Sequence, residues 1–195
     1  MLERNQTIDL PGASDQLYLS FNVPSHATAP DAVTAPALSL LCEVLGKGFS
    51  ARLYNDLVRD KRLIKGVSLT YEALVRGDTL LTISATVNTQ ATTSREAAEA
   101  IYTKVDELRH TPLSAEELDS AKLRMLTRRL FSLDNLAQQA ERIGAAAAAG
   151  LAPSVIDLET DIIRRLDSAQ VRQVAFDYLR RERLTITHLT PGAPA

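Results

Sequence analysis

The chain has 195 residues, 45% of them hydrophobic and 24% charged, and 22 lysines and arginines against 24 aspartates and glutamates leave a net charge of -2. That size and balance predict one soluble globular domain, or at most two small ones, able to bury a real core. They lack the clustered basic excess of a generic nucleic-acid binder. The single cysteine, Cys42, excludes an intrachain disulfide and any cysteine-rich zinc site.

Residues 1–15 are polar, with Pro11, Gly12 and Ser14, and predict a linker or a loose first strand ahead of a domain over 16–195. They lack the basic-then-apolar order of a signal peptide, and no run in the chain approaches the ~18 apolar residues of a membrane span. In QLYLSFNVP, Leu17, Leu19, Phe21 and Val23 alternate with Tyr18, Ser20 and Asn22, the period of a half-buried strand closed by Pro24. From Asp31 to Leu45 the apolar residues recur at three- and four-residue spacing, which predicts a helix stopped by Gly46. A second helix is expected from Ser50 as N-cap, with Leu53, Leu57 and Val58 inward and Arg52, Asn55, Asp56 and Arg59 outward.

After Gly66, VSLTYEAL and TLLTISATV are rich in β-branched residues and predict a hairpin with a tight turn at Gly77-Asp78. Ala97, Ala100, Ile101, Tyr102, Val105 and Leu108 space as an amphipathic helix ending near Thr111-Pro112. Ser114 with Glu117 forms an S-x-x-E capping box that opens a long helix through Leu130. Another helix covers Leu136 to about Ala149, which absorbs the run GAAAAAG; Pro153 is placed for the first turn of the next, and Asp167 with Gln170 caps a last one. RLTITHL closes as a strand. Because the first and last strands lie at opposite ends of the chain, the pattern predicts an α+β fold: a mixed, largely antiparallel sheet assembled from non-local pieces, with helices packed on one face.

Local motifs supply no complete active site. LGKGFS lacks the order G-x-x-x-x-G-K-[ST] and follows a helix, so it is not a P-loop; Ser50 is not in G-x-S-x-G, and N-capping accounts for it. Cys42 has the apolar neighbours of a packed, inert thiol. His26, His110 and His188 are scattered, without a second histidine at helical spacing, so no local zinc site is expected. Glu116 and Glu117 suit the positive end of a helix dipole.

The order of YLSFNVPS, LLCEVLGKGFSARLYNDLVRDKRL, RGDTLLTISATV, LSAEELDSAKLRML, LDSAQVRQVAFDYL and RLTITHLTP resembles the C-terminal, non-catalytic domain of pitrilysin/insulinase-type zinc metallopeptidases, relatives of mitochondrial processing peptidase. The resemblance covers about residues 16 to 191. It implies the inactive half of a clamp that closes over an extended peptide, with zinc held by an N-terminal domain of the same chain or by a partner subunit, and no metal or catalytic residue in this chain. The glycine loop of that family, which handles substrate, maps onto Gly46, Lys47, Gly48 and Phe49. An arginine–tyrosine pair of the family maps onto Arg59 and Gly66, so the tyrosine is missing; either a partner supplies the pair, or another residue such as Tyr71 replaces it. A solvated helix-end arginine is the competing reading of Arg59, and Arg52 and Tyr54 read as structural. The resemblance further implies a periplasmic setting, with the cytoplasm as the other expectation, allows a homo- or heterodimer, and leaves one functional alternative, a non-proteolytic scaffold subunit like the core proteins of respiratory complex III.

Overall fold

The computed structural model describes residues 4–48 and 51–192. Among these runs a five-stranded sheet of order β1-β5-β2-β4-β3, made of β1 (Arg4–Pro11), β2 (Gln16–Val23), β3 (Ile64–Tyr71), β4 (Thr79–Val87) and β5 (Leu184–Gly192). Only β1 and β5 pair in parallel; the other pairings are antiparallel. The sheet is therefore mixed, largely antiparallel and non-local, with Leu17 of β2 opposite His188 of β5. The segment expected as a linker or loose strand contributes β1, whose ladder runs from Arg4 against Thr185 to Pro11 against Gly192.

The period-two pattern of β2 works as expected. Leu17, Leu19, Phe21 and Val23 are buried, and the register sets Ala85, Ile83 and Leu81 beside the first three of them. This side of the sheet is covered by α1 (Thr34–Gly46), α2 (Ser94–His110) and α6 (Ser168–Tyr178). The other side carries hydroxyls, such as the Ser20–Thr82 pair at 3.0 Å. Helices α3 (Ala115–Ser132), α4 (Leu136–Ala148) and α5 (Val155–Arg165) complete the layer, with α3 and α5 packed against α1 and α4 packed on α5.

Boundaries depart from the sequence reading where side chains take over backbone bonds. Asp31 accepts from the amides of Val33 and Thr34 at 2.9 and 2.8 Å, so it forms a turn ahead of α1, which starts at Thr34. Helix α2 starts earlier than the apolar period suggests, at a capping box between Thr93 and Glu96. The helix expected from Ser50 is a π-helix over Tyr54–Asp60, with Leu53 and Leu57 buried as expected. It ends at Asp60, and two residues on the chain turns at Arg62, whose φ of 54° is left-handed; Leu63 N–H then reaches back to the Leu57 carbonyl at 2.9 Å, and Asn88 Nδ2 donates to the Arg62 carbonyl at 2.8 Å. The hairpin between β3 and β4 closes through residues 72–78 rather than by a tight turn at Gly77-Asp78. That connection is pinned elsewhere, by the His26 amide on the Ala73 carbonyl, Ser25 Oγ on the Val75 carbonyl (both 2.9 Å) and Arg76 Nε on the Ala148 carbonyl (2.7 Å).

Gly46 is the last residue of α1, and its lack of a side chain answers a packing need. A Cβ there would stand 2.0 Å from Leu69 Cδ1, a buried atom of β3. A Gly46→Ala variant should lose about 1–3 kcal/mol in urea unfolding through this overpacking. Gly66→Ala, where a Cβ meets nothing within 4 Å, should stay within about 0.5 kcal/mol of the parent chain.

Candidate functional site

The junction after α1 opens onto a groove of about 690 Å³ walled by α1, the β3–β4 connection, α3 and α4. Lys47 lines this groove. Gly48 has φ +93°, a conformation that strains any side chain, and the Arg124 side chain lies 3.7 Å from where its Cβ would be. Gly46, Lys47 and Gly48 thus sit together at the groove's edge. Phe49, the fourth residue of the expected loop, and Ser50, the expected N-cap, lie outside the described residues.

The groove is organised by two buried carboxylates. Glu43, only 1% exposed, is the sole charge in α1 and faces both Nη atoms of Arg128 from α3, one at 3.1 Å, and Lys47 Nζ at 3.5 Å. Glu159 of α5, 4% exposed, is bonded by Arg129 of α3 and approached by Arg142 of α4 at 3.4 Å. His26 Nε2 lies 3.8 Å from the same oxygen, beyond hydrogen-bonding reach. Burial alone would raise the Glu159 carboxyl, but His26 and Arg129 beside it outweigh that effect and hold it below the usual carboxylate range. Glu43 therefore ties α1 to α3, and Glu159 ties α5 to α3 and α4, at the groove wall. Neither was singled out from sequence, although a lone glutamate in ALSLLCEVLG is a charge that an otherwise apolar helix must bury and pair.

The other expected residues fall elsewhere. Arg59 is exposed, bonds its neighbour Asp60 at 2.9 Å and does not line this groove. Gly66 lies on β3 with open space above it. Tyr71 does line the groove, but its hydroxyl donates to the Pro24 carbonyl at 2.7 Å, so it is committed to the fold rather than free to replace the missing tyrosine. Burial pushes the Cys42 thiol up to about 12, which keeps it protonated and inert. Among the described residues no group of three His, Cys, Asp or Glu side chains is placed to hold a metal. Along the groove the arrangement presents exposed cations, Lys47 and Arg128, beside the exposed carboxylates of Glu72 and Glu141.

The capping box expected at Ser114 is only half formed. Ser114 Oγ accepts from the Glu117 amide at 3.2 Å, but the Glu117 carboxylate turns away to make a bidentate pair with Arg52 at 2.6 and 2.7 Å. The ion pair sets two charge-assisted bonds to a guanidinium against the single backbone amide that the capping box would offer the carboxylate. Glu117→Gln should lower stability by about 1–2 kcal/mol in denaturant titration, while the neighbouring Glu116→Gln has little effect.

His188 spans the sheet edge and α2. Its Nδ1 is 2.7 Å from Ser94 Oγ and its Nε2 is 3.0 Å from Asn5 Oδ1, an arrangement satisfied by neutral imidazole with the proton on Nε2. Burial lowers its pKa, so the folded state disfavours the imidazolium. The stability it supports is complete above the unfolded value of about 6.5 and falls as pH drops below it. Between pH 7.5 and 5.5 the parent chain should lose more unfolding free energy than His188→Gln, measured by urea titration at each pH.

Comparison with known proteins decides the family. The model of the peptidase M16 inactive domain matches residues 3–125, more than half of the chain.

The chain belongs to that family.

None of the curated proteins matches. Among solved structures, a protease from Helicobacter pylori superposes with a TM-score of 0.86 at 19% identity, over 97% of this chain and 44% of that one. An inactive peptidase domain from Bordetella parapertussis gives 0.81 at 22% identity, over 96% of this chain and 97% of that one. The first half of the periplasmic protease PqqL from Escherichia coli gives 0.73 at 14% identity, over 97% and 42%. At these identities the superpositions speak for the fold, and this M16 inactive domain spans less than half of the Helicobacter protein. No helix among its described residues is long and apolar enough to cross a membrane.

Proposed function

We propose that this M16 inactive domain is the non-catalytic half of a zinc-dependent endopeptidase. It closes over an extended peptide and positions it for hydrolysis at a zinc site carried by a companion domain, on the same chain or on a partner subunit. The observation that carries this reading is the glycine junction of an inactive M16 domain opening onto a groove lined with charges. The junction at Gly46, Lys47, Gly48 and Phe49 holds the peptide, and Arg59 contributes from the surface. Holding an extended chain needs backbone hydrogen bonds and charge contacts, not a nucleophile, and closure excludes water and orients the scissile bond. A periplasmic setting is favoured by the likeness to PqqL.

A second reading, a non-proteolytic scaffold subunit, draws on one observation. The α3–α4 turn and its flanks expose Leu130, Phe131, Leu133 and Leu136, the last to 81%, a surface that a permanent partner would cover.

The test is fluorescence anisotropy with an extended, labelled peptide, alongside a hydrolysis assay with and without zinc. The chain should bind the peptide and leave it intact. Gly48→Val, which strains the junction, should weaken binding severalfold, whereas His188→Gln should not. Peptide cleavage by the chain alone, or binding indifferent to Gly48→Val, would refute the reading; a complete lack of binding would favour the scaffold.

A further inference from the structure

The charges around the glycine junction are unevenly matched. Lys47 at the junction and Arg128 on α3 share one carboxylate, Glu43, which is buried at 1% exposure while the two cations are 43% and 54% exposed. Glu43 satisfies them from inside. Both cations line the groove, and each keeps N–H groups beyond those that meet Glu43. The Arg52–Glu117 pair near the start of α3 is closed on itself and adds no net charge.

The other unburied carboxylates of the groove stand on different walls, Glu72 on the β3–β4 connection and Glu141 on α4. The wall formed by the end of α1 and the middle of α3 therefore carries an unspent positive charge. A fixed, pre-paired cation couple costs little further ordering when an anion arrives, because Glu43 has already oriented both side chains.

From this we infer that the groove beside the glycine junction selects peptides that present a carboxylate, an aspartate or glutamate side chain or a free C-terminus, to Lys47 and Arg128. The inference rests on the peptide-holding function proposed above and adds its substrate class. Glu43 is then a positioning residue, which touches no substrate and sets the two cations that do. The same buried carboxylate also tempers the attraction, so neutralising it strengthens selection instead of abolishing it.

The experiment is anisotropy on the parent chain with three labelled peptides of one sequence: one glutamate at the centre, the same with glutamine, and the glutamine peptide with its C-terminus amidated. At low salt the glutamate peptide should bind about fivefold tighter than the amidated glutamine peptide, and the gap should narrow as salt rises. If the free C-terminus is the preferred source, the unamidated glutamine peptide will bind like the glutamate one. The preference should vanish in Lys47→Gln and widen in Glu43→Gln, whose folding is checked by its urea midpoint. Should Glu43→Gln not fold, Arg128→Gln must abolish the preference instead. Equal binding of all three peptides, or a preference that survives Lys47→Gln, overturns the inference and leaves peptide holding intact. If no peptide binds at all, both fail together.

Discussion

The carboxylate of Glu43 has no water to face, and much of the architecture follows from that. Taking such an ion out of solvent costs several kcal/mol even after relaxation, and removing one partner from a buried pair costs about 3–5 kcal/mol. Helix α1 is otherwise uncharged and buried along nearly its whole length. The glutamate can be satisfied only by cations brought to it, and these come from two directions: Arg128 from α3 and Lys47 from the next turn of the chain. The outcome is a constraint on where α3 and the junction lie. Stability alone would not require it, since an apolar residue at this position would pack at lower cost. What the ion pair adds is orientation, with two long side chains held facing a groove.

Glu159 repeats the device at the groove's other side, where Arg129 and Arg142 converge from α3 and α4. Apolar contact there is thin: of α4 only Ala146 is buried in the helix, and α3 buries only Leu118 and Ala121. The outer helices are thus held largely by charge, and the inner layer by packing.

How legible each layer was in the sequence follows the same division. The strand Gln16–Val23 was readable because one face is wholly buried, and period two is then obligatory. Helix α6 was readable because both halves of the Asp167–Gln170 box formed. The reading failed where long-range partners outbid local ones. Glu117 left its box for Arg52, 65 positions away, and the β3–β4 connection gave up a tight turn for bonds to Ser25, His26 and Ala148. Arg128, Glu43 and the groove between them involve contacts across 85 positions, and no local pattern contains such pairs.

The Arg52–Glu117 pair also gives physical meaning to two of the stretches by which the chain resembled its family. S-x-R-L-Y and E-E-L-x-x-A-K are far apart in sequence, yet the arginine of the first and the second glutamate of the other form one bidentate bond. That bond joins the turn leading into the π-helix to the first turn of α3, the helix that also delivers Arg128 and Arg124 to the junction. Gly46 closes the arrangement from the opposite side, since its missing Cβ lets α1 approach β3 at Leu69. The junction is therefore anchored by an ion pair beyond it, a buried carboxylate before it and a steric fit beneath it. These three constraints hold a short segment, whose Lys47 lines the groove, at the groove edge.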